Sequence, residues 1–374
     1  MKICYIAEAA SIHTQRWVKY FSDKGYEVNV ISFSPVGDGD IGNAKLYVLK
    51  SFPFQIWVIS FTINLLLHII QIKQLVKKIK PDVVDGHFIT NNGFLAACTG
   101  FHPLIITAWG SDVLIYPKHS FLSRIRAWYA IKKAEIVICD SDIVKEGLIK
   151  LGTNPGKIRR ILNGVDTQLF NPQQRTEKLR DIFGASQGSV VICIRNLKPI
   201  YNIEMLLRAI PIILEQVPGT RFVIGGDGEQ RNYLKDLASK LGILRNVMFI
   251  GFIQHNQLSS YLASSEIYVS TSLSDSTSLS LQEAMSCELA PVLTNLPANR
   301  EWVTDGKNGF IVPINNIHMF AERTIYLLKN EELRKEFGKA SRELIMEKAE
   351  YKKEMEKMEK VYINEIEKFD KEEK

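Results

Sequence analysis

The 374-residue chain lacks any ordered pattern of cysteines. Its five, Cys4, Cys98, Cys139, Cys193 and Cys287, are scattered, and none has the paired spacing of a metal site. Four sit in or beside apolar runs, so they read as reduced core residues of a cytosolic protein. A secretory leader pattern is missing, because Lys2 is followed at once by a strand and then by polar residues. Strong charge of one sign is missing too. A formal charge of +6 gives no pointer to nucleic acid. It suits an anionic substrate, an anionic membrane surface or an ordinary solvated exterior. An uninterrupted membrane span is also lacking. Phe52 to Ile70 is long and apolar, but Ser60, Asn64, His68, Gln71 and Gln74 recur at spacings of three and four and draw a polar stripe along a helix. Lys73, Lys77, Lys78 and Lys80 follow. The segment reads as a surface or half-buried helix. Exposed Phe52, Phe54 and Trp57 beside the basic run would suit peripheral attachment to the inner face of a cell membrane.

What is present is a globular composition, 46% hydrophobic and 24% charged, in a length that fits two domains. Strands and helices alternate. KICYIAEA, EVNVISFS, PDVVDGHF, PLIITAWG and EIVICDSD read as strands with helices between them, Leu122 to Lys133 among these. The pattern restarts with SVVICIRN, a helix from Ile203 to Gln216, TRFVIGGDG, a helix from Glu229 to Leu241, and then NVMFIGFI, EIYVSTS, APVLTN and GFIVP. Two such runs predict an α/β protein of two Rossmann-like, doubly wound parallel-sheet domains. The expected boundaries are 1–166 and 167–347, with the polar stretch Asn163 to Gln174 as linker. The charged helix 348–374 carries Met355, Met358, Tyr362, Ile366 and Phe369 along one side, a packing face.

Chemistry concentrates between Tyr268 and Pro291. A short apolar strand ends in a loop of Ser, Thr and Asp, and a helix follows. Asp275 falls in the loop and Glu283 on the early helix, both beside the helix N-terminus. Such an N-terminus attracts anions such as a diphosphate. The carboxylates can accept hydrogen bonds from sugar or ribose hydroxyls, and the combination suggests a nucleotide-sugar. Other strand ends carry polar residues as well. His13 lies in the first strand–helix loop, and His87 ends PDVVDGH. Both sit where ligands bind in open parallel sheets, and both read equally as structural residues.

The second half, over most of Ser189 to Pro313, resembles the retaining glycosyltransferases of family four, the group 1 glycosyltransferases of the two-domain GT-B fold. The likeness rests on the order and spacing of VIGGDGEQRNYLKDLASKLGILRNVMFIGFI, LSSYLASSEIYVSTS, SLQEAMSCELAPV and REWVTDGKNGFIVP. NGVD at Asn163 resembles the family's hinge, and SIHTQRW at Ser11 its first loop and helix. The resemblance implies two domains facing across a cleft, the N-terminal one for the acceptor and the C-terminal one for the donor, with the last helix crossing back onto the first domain.

It also implies roles. Glu283 matches the glutamate that takes the ribose hydroxyls, and Asp275 the carboxylate that faces the donor sugar. The loop amides of Thr277, Ser278 and Leu279 would meet the diphosphate. Arg195 matches the arginine that neutralises the diphosphate as it leaves, which acts on rate more than on binding. Phe252 and Ile253 fall where the base pocket is lined. Gly226 and Gly228 read either as a close approach of backbone to ligand or as a tight turn.

Three positions depart from the pattern. Asp stands for Glu at 275, one methylene shorter. Tyr201 occupies a lysine position, and Lys198 is the nearest substitute for the missing charge. Trp109 stands where a histidine is usual, followed by Gly110, Ser111 and Asp112. Trp109 could stack on a sugar face. Asp112 reads either as a hydroxyl contact or as a helix N-cap. The acceptor set is then His13, His87, Trp109 and Ser111, with Arg195, Asp275 and Asp112 as the catalytic candidates. Asp140-Ser141-Asp142 resembles the metal motif of a different glycosyltransferase fold, but its surroundings match a strand end before a helix. The expectation is transfer with retention and no metal or other cofactor, the nucleotide-diphosphate sugar being a co-substrate. A nucleotide-sugar epimerase and a catalytically silent binding subunit of a polysaccharide assembly system are the rival readings.

Overall fold

A computed structural model describes residues 1–37, 39–51, 57–185 and 188–372, with only the backbone described for 57–62. The chain divides into two compact units, residues 1–163 with 354–374, and residues 164–353. The first holds a seven-stranded sheet. Its strands in chain order are β1 (Lys2–Ile6), β2 (Glu27–Ser32), β3 (Lys45–Val48), β4 (Val83–His87), β5 (Leu104–Thr107), β6 (Ile136–Cys139) and β7 (Ile158–Arg160). All pairs are parallel, in the spatial order β3-β2-β1-β4-β5-β6-β7.

The second unit holds six parallel strands: β8 (Val190–Ile194), β9 (Arg221–Gly225), β10 (Val247–Gly251), β11 (Ile267–Ser270), β12 (Ala290–Thr294) and β13 (Phe310–Val312). Their order is β10-β9-β8-β11-β12-β13. In each sheet the strand order reverses once, between β1 and β4 and between β8 and β11. Such switch points open a crevice at the carboxyl ends of the strands. The fold is GT-B, with two Rossmann-like parallel-sheet units.

Burial on both faces explains the near-continuous apolar strands, such as VVICI and the fully buried IVIC. Helix Ile203–Gln216 follows β8, with the bounds its periodicity predicts, and sends Leu206, Leu207, Ile210 and Ile213 into the second core.

The last helix, Tyr351–Glu372, buries Met355, Met358 and Tyr362 on the first unit. It is anchored by polar bonds as well. Glu354, itself buried, accepts from the Leu162 amide at 2.9 Å, and Glu359 takes Tyr26 and Lys24. Tyr362 donates to Asp85 at 2.6 Å, and Thr107 donates to the same carboxyl at 2.9 Å. Burial pushes the Asp85 pKa up to about 7, while the two hydroxyls pull it back down.

Helix Trp57–Ile79 covers the region of the expected polar stripe. His68 and Gln71 are used internally, on Ser51 at 2.9 Å and on the Lys50 amide at 3.0 Å. Ile63, Leu66 and Ile70 are the large apolar side chains that the helix leaves exposed among the described residues. Phe52 and Phe54, and the side chain of Trp57, lie outside the described residues. Among the described residues no helix is long and apolar enough to cross a membrane.

Candidate functional site

The second unit gathers its polar residues at its switch point. Arg195 is the first residue after β8 and Ser270 the last of β11. The Arg195 guanidinium donates to Asp275 Oδ2 at 2.5 Å and to Ser270 Oγ at 3.3 Å. Tyr201 lies under it, 5.3 Å from ring centroid to guanidinium carbon. Burial opposes the Arg195 charge, but the Asp275 carboxylate, with Tyr268, Tyr201 and Cys193, more than offsets this and raises the Arg195 pKa. Both groups keep a little accessible surface, 10% for the Arg195 side chain and 15% for that of Asp275.

Asp275 has a second partner in the Ser276 amide, at 3.0 Å. Its carboxylate therefore grips the arginine and its own loop, where the resemblance implies a carboxylate facing the donor sugar. Tyr201, at the position of the expected lysine, covers the same arginine. The departures at 275 and 201 thus act on one cation. Lys198 is exposed and leads into the 3₁₀ turn Pro199–Tyr201.

Helix Leu279–Ser286 begins just past Asp275. Ser278 caps it, its hydroxyl accepting from the Leu281 amide at 3.2 Å, with Thr277 before it and Leu279 as the first helical residue. Ser280 ties this start to the end of β8 through the Ile194 carbonyl at 3.0 Å and to Tyr268 at 2.8 Å. Glu283, buried on the same helix, is bonded to His255 Nε2 at 2.9 Å. The sequence reading passed over His255. It sits two residues beyond Ile253, in the segment after β10, and the strand-end criterion applied to His13 and His87 would have found it. Phe252 is 79% exposed and Ile253 half-buried.

Gly226 and Gly228 follow β9 with φ of +131° and +158°. A Cβ at Gly226 would meet the Arg195 carbonyl at 2.0 Å, and one at Gly228 the Leu197 carbonyl at 2.6 Å. The Leu197 amide also bonds to the Asp227 carbonyl at 2.9 Å. These glycines let the turn lie against the loop that carries Arg195, so the close approach seen here is backbone to backbone.

The first unit gathers aromatic rings at its own switch point. His13 stacks on Trp109 with centroids 4.9 Å apart. His87, the last residue of β4, meets Trp109 and Trp17 edge-on at 5.3 and 5.5 Å. His87 Nδ1 reaches Thr14 Oγ1 at 3.3 Å, and its Nε2 stands 3.8 Å from Asp85, beyond hydrogen-bond range. Burial, with the neighbouring His13, pulls the His87 pKa down to about 3. Burial and Arg16 pull His13 down to about 4, against the Asn163 side chain, which favours the protonated ring. Both rings are therefore neutral. Among the described residues His13 Nδ1 and Trp17 Nε1 have no hydrogen-bond partner.

Asp112 is fully buried. Its oxygens accept from the Trp109 amide at 3.0 Å and the Ile89 amide at 2.8 Å. It joins the loop after β5 to the turn after β4, and burial pushes its pKa up to about 6 against those amides. Ser111 opens the short helix Ser111–Leu114 beside it. Asp140 and Asp142 diverge: Asp140 accepts from Ser141 at 3.1 Å, and Asp142 pairs with Arg160 at 3.1 Å.

Residues 175–344 match the family model described as Glycosyl transferases group 1, and residues 2–141 match that described as Glycosyl transferase 4-like. The chain is 26% identical over 347 residues to the protein EpsD of Bacillus subtilis, covering 87% of this chain and 86% of that one. It is 28% identical over 263 residues to the UDP-Gal:alpha-D-GlcNAc-diphosphoundecaprenol alpha-1,3-galactosyltransferase of Escherichia coli, covering 67% of each. Among solved structures, HepE of Anabaena in complex with UDP-glucose superposes with a TM-score of 0.81 at 19% identity, over 97% of this chain and 100% of that one.

Proposed function

We propose that this chain, a glycosyltransferase of the GT-B group 1 family, moves a sugar from a nucleotide-diphosphate donor to a hydroxyl of a glycan or lipid-linked acceptor with retention of anomeric configuration. The observation that carries the reading is Arg195. It is a cation held by Asp275 and Ser270 at the carboxyl end of β8, beside the capped start of helix Leu279–Ser286. Cation and helix start together form a seat for a diphosphate. The complex of HepE with UDP-glucose, on the same fold, supports a nucleotide-sugar in this role. The undecaprenol-linked substrate named for the Escherichia coli relative supports the lipid-linked acceptor.

In this reading the anomeric carbon–oxygen bond of the donor breaks as negative charge gathers on the leaving diphosphate. Arg195 and the amides of Thr277, Ser278 and Leu279 stabilise that charge, so no metal is invoked. Asp275 orients Arg195, and Tyr201 shields it on its other side. Glu283, oriented by His255, takes the ribose hydroxyls, with Phe252 and Ile253 beside the base and Lys198 near the outer phosphate. The acceptor hydroxyl attacks the face from which the diphosphate leaves, and a diphosphate oxygen receives its proton. His13, His87, Trp109 and Ser111 supply the acceptor side, where Trp109 offers a ring face to a sugar. Asp112 holds the loop that carries Trp109.

Proton NMR of the first product formed, in the presence of a donor and a lipid-linked oligosaccharide, tests this. The new linkage keeps the donor's anomeric configuration if the reading is right, and inversion overturns it. Donor alone separates the epimerase reading, since an epimerase alters the sugar with no acceptor present.

A further inference from the structure

Asp275 is engaged at both oxygens. Its Oδ2 takes the Arg195 guanidinium at 2.5 Å and its Oδ1 the Ser276 amide at 3.0 Å. The side chain is one methylene shorter than a glutamate, and these bonds hold it close to its own loop. What it presents to a ligand on Arg195 is chiefly its charge.

The loop that carries it is fastened as well. The Leu273 amide donates to the Ile200 carbonyl at 2.8 Å, and the Thr271 hydroxyl donates to the Asn202 carbonyl at 2.8 Å. The Ser272 hydroxyl stands 3.0 Å from that of Ser270, and the Ser272 carbonyl accepts from Thr294 at 2.6 Å. These bonds tie the loop after β11 to the segment after β8. Asp275 and Arg195 are therefore set against each other by the backbone as well as by their own attraction.

Charge at these strand ends is balanced. Arg195 faces Asp275, and Arg231, at the turn after β9, is paired with Asp227 at 2.8 Å. Tyr201 covers the Arg195 guanidinium where the resemblance implies a lysine, so it adds a ring face and no charge. Residues 270–282 hold a single charged side chain, Asp275, so nothing on that loop offsets the carboxylate.

The guanidinium spends Nε on Ser270 and one Nη on Asp275. A diphosphate oxygen on this arginine would share one cation with Asp275, and like charges so close repel. Donor and product feel this differently. The diphosphate of a nucleotide-sugar is esterified at both ends. The spent nucleoside diphosphate has a free terminal phosphate, whose second ionisation lies near pH 6, so at pH 7 it carries about one more negative charge.

We propose, resting on the nucleotide-sugar reading of this site, that Asp275 is a charge gate on product release: it orients Arg195 for the donor's diphosphate and repels the extra charge of the spent nucleoside diphosphate, so that the site discriminates donor from product. Asp275 acts through Arg195 and is a positioning residue. The shortened side chain suits the role, because it keeps the carboxylate beside the arginine.

The test is titration calorimetry with UDP, GDP and ADP and with their glucose esters, on the wild type, Asp275→Asn and Asp275→Glu. Asp275→Asn tightens the nucleoside diphosphate that the wild type binds best about tenfold, and shifts its glucose ester by about threefold at most. Asp275→Glu keeps the charge and stays within about twofold of the wild type for both. Should Asp275→Asn fail to fold, Asp275→Ser removes the same charge and carries the same expectation. A neutral variant that binds the nucleoside diphosphate no tighter than the wild type overturns the gate. Equal tightening of diphosphate and glucose ester overturns it too, as does a change in Asp275→Glu as large as that in Asp275→Asn. In each of these cases Glu283-dependent binding by the wild type leaves the donor reading standing. A wild type that binds none of these ligands overturns both.

Discussion

The two switch points solve different electrostatic problems. In the second unit the groups are charged or set beside charge: Arg195 on Asp275, and His255 on Glu283, with accessible surface left at both pairs. In the first unit the titratable groups are sunk. Asp85, Asp112 and His87 are almost wholly buried, and burial drives each toward its neutral form. Fixed charge that keeps some access to solvent suits a ligand with charge of its own. Neutral rings and a carboxylate saturated by backbone amides suit the shaping of a surface. On the proposed function, rate and anion binding belong to the second unit, and loop geometry to Asp112 and its neighbours in the first.

The largest test of that contrast is Arg195→Ala. It should lower kcat about 10³-fold, on the order of 4 kcal/mol, in a sugar-transfer assay, with a smaller change in KM. A change confined to KM would move Arg195 from transition-state stabilisation to ground-state binding. Next comes Asp112→Ala. It strands two buried backbone amides and should destabilise the fold by about 3 kcal/mol in urea unfolding. A stable variant that had lost its activity would return Asp112 to the chemistry.

A smaller effect separates the buried network beneath His87. The Asp85 pKa is raised from 3.8 to about 7, so the folded state holds that proton where the unfolded chain has released it. Its contribution to stability is complete below the unfolded pKa and is lost as pH rises through about 7. Asp85→Asn removes the titration. The stability gap between wild type and variant should therefore be wider at pH 5 than at pH 7 by about 2 kcal/mol, read from unfolding curves at the two pH values. A constant gap means that the carboxylate is ionised beside Tyr362. The smallest effect is expected from His255→Ala, which removes one hydrogen bond to Glu283 and should weaken nucleotide-sugar binding about fivefold, near 1 kcal/mol, in calorimetry.

Much of this was legible in the chain. Strand and helix periods give the alternation, and helix Ile203–Gln216 lies where its apolar spacing puts it. The seven residues between Asp275 and Glu283 place a loop carboxylate and a helix carboxylate beside one helix start. Pairings across long separations were not legible. Arg195 meets Asp275 across 80 positions, His255 meets Glu283 across 28, and Tyr362 meets Asp85 across 277. No local spacing encodes them, because the sheet order sets which strand ends become neighbours. Helix Phe121–Lys133 shows the other limit. Phe121, Ile125 and Trp128 have the spacing of a core stripe, and the structure turns alanines inward in their place because Ala127 and Ala130 let the helix pack close.

The central claim is that the second unit binds a nucleotide-diphosphate sugar through Glu283 and the Arg195 seat. Titration calorimetry with UDP-, GDP- and ADP-sugars, on the wild type and on Glu283→Gln, tests it most directly. The account predicts that at least one donor binds and that Glu283→Gln weakens it about tenfold, on the order of 1.4 kcal/mol. No binding by any of the three, or equal binding by wild type and variant, contradicts it.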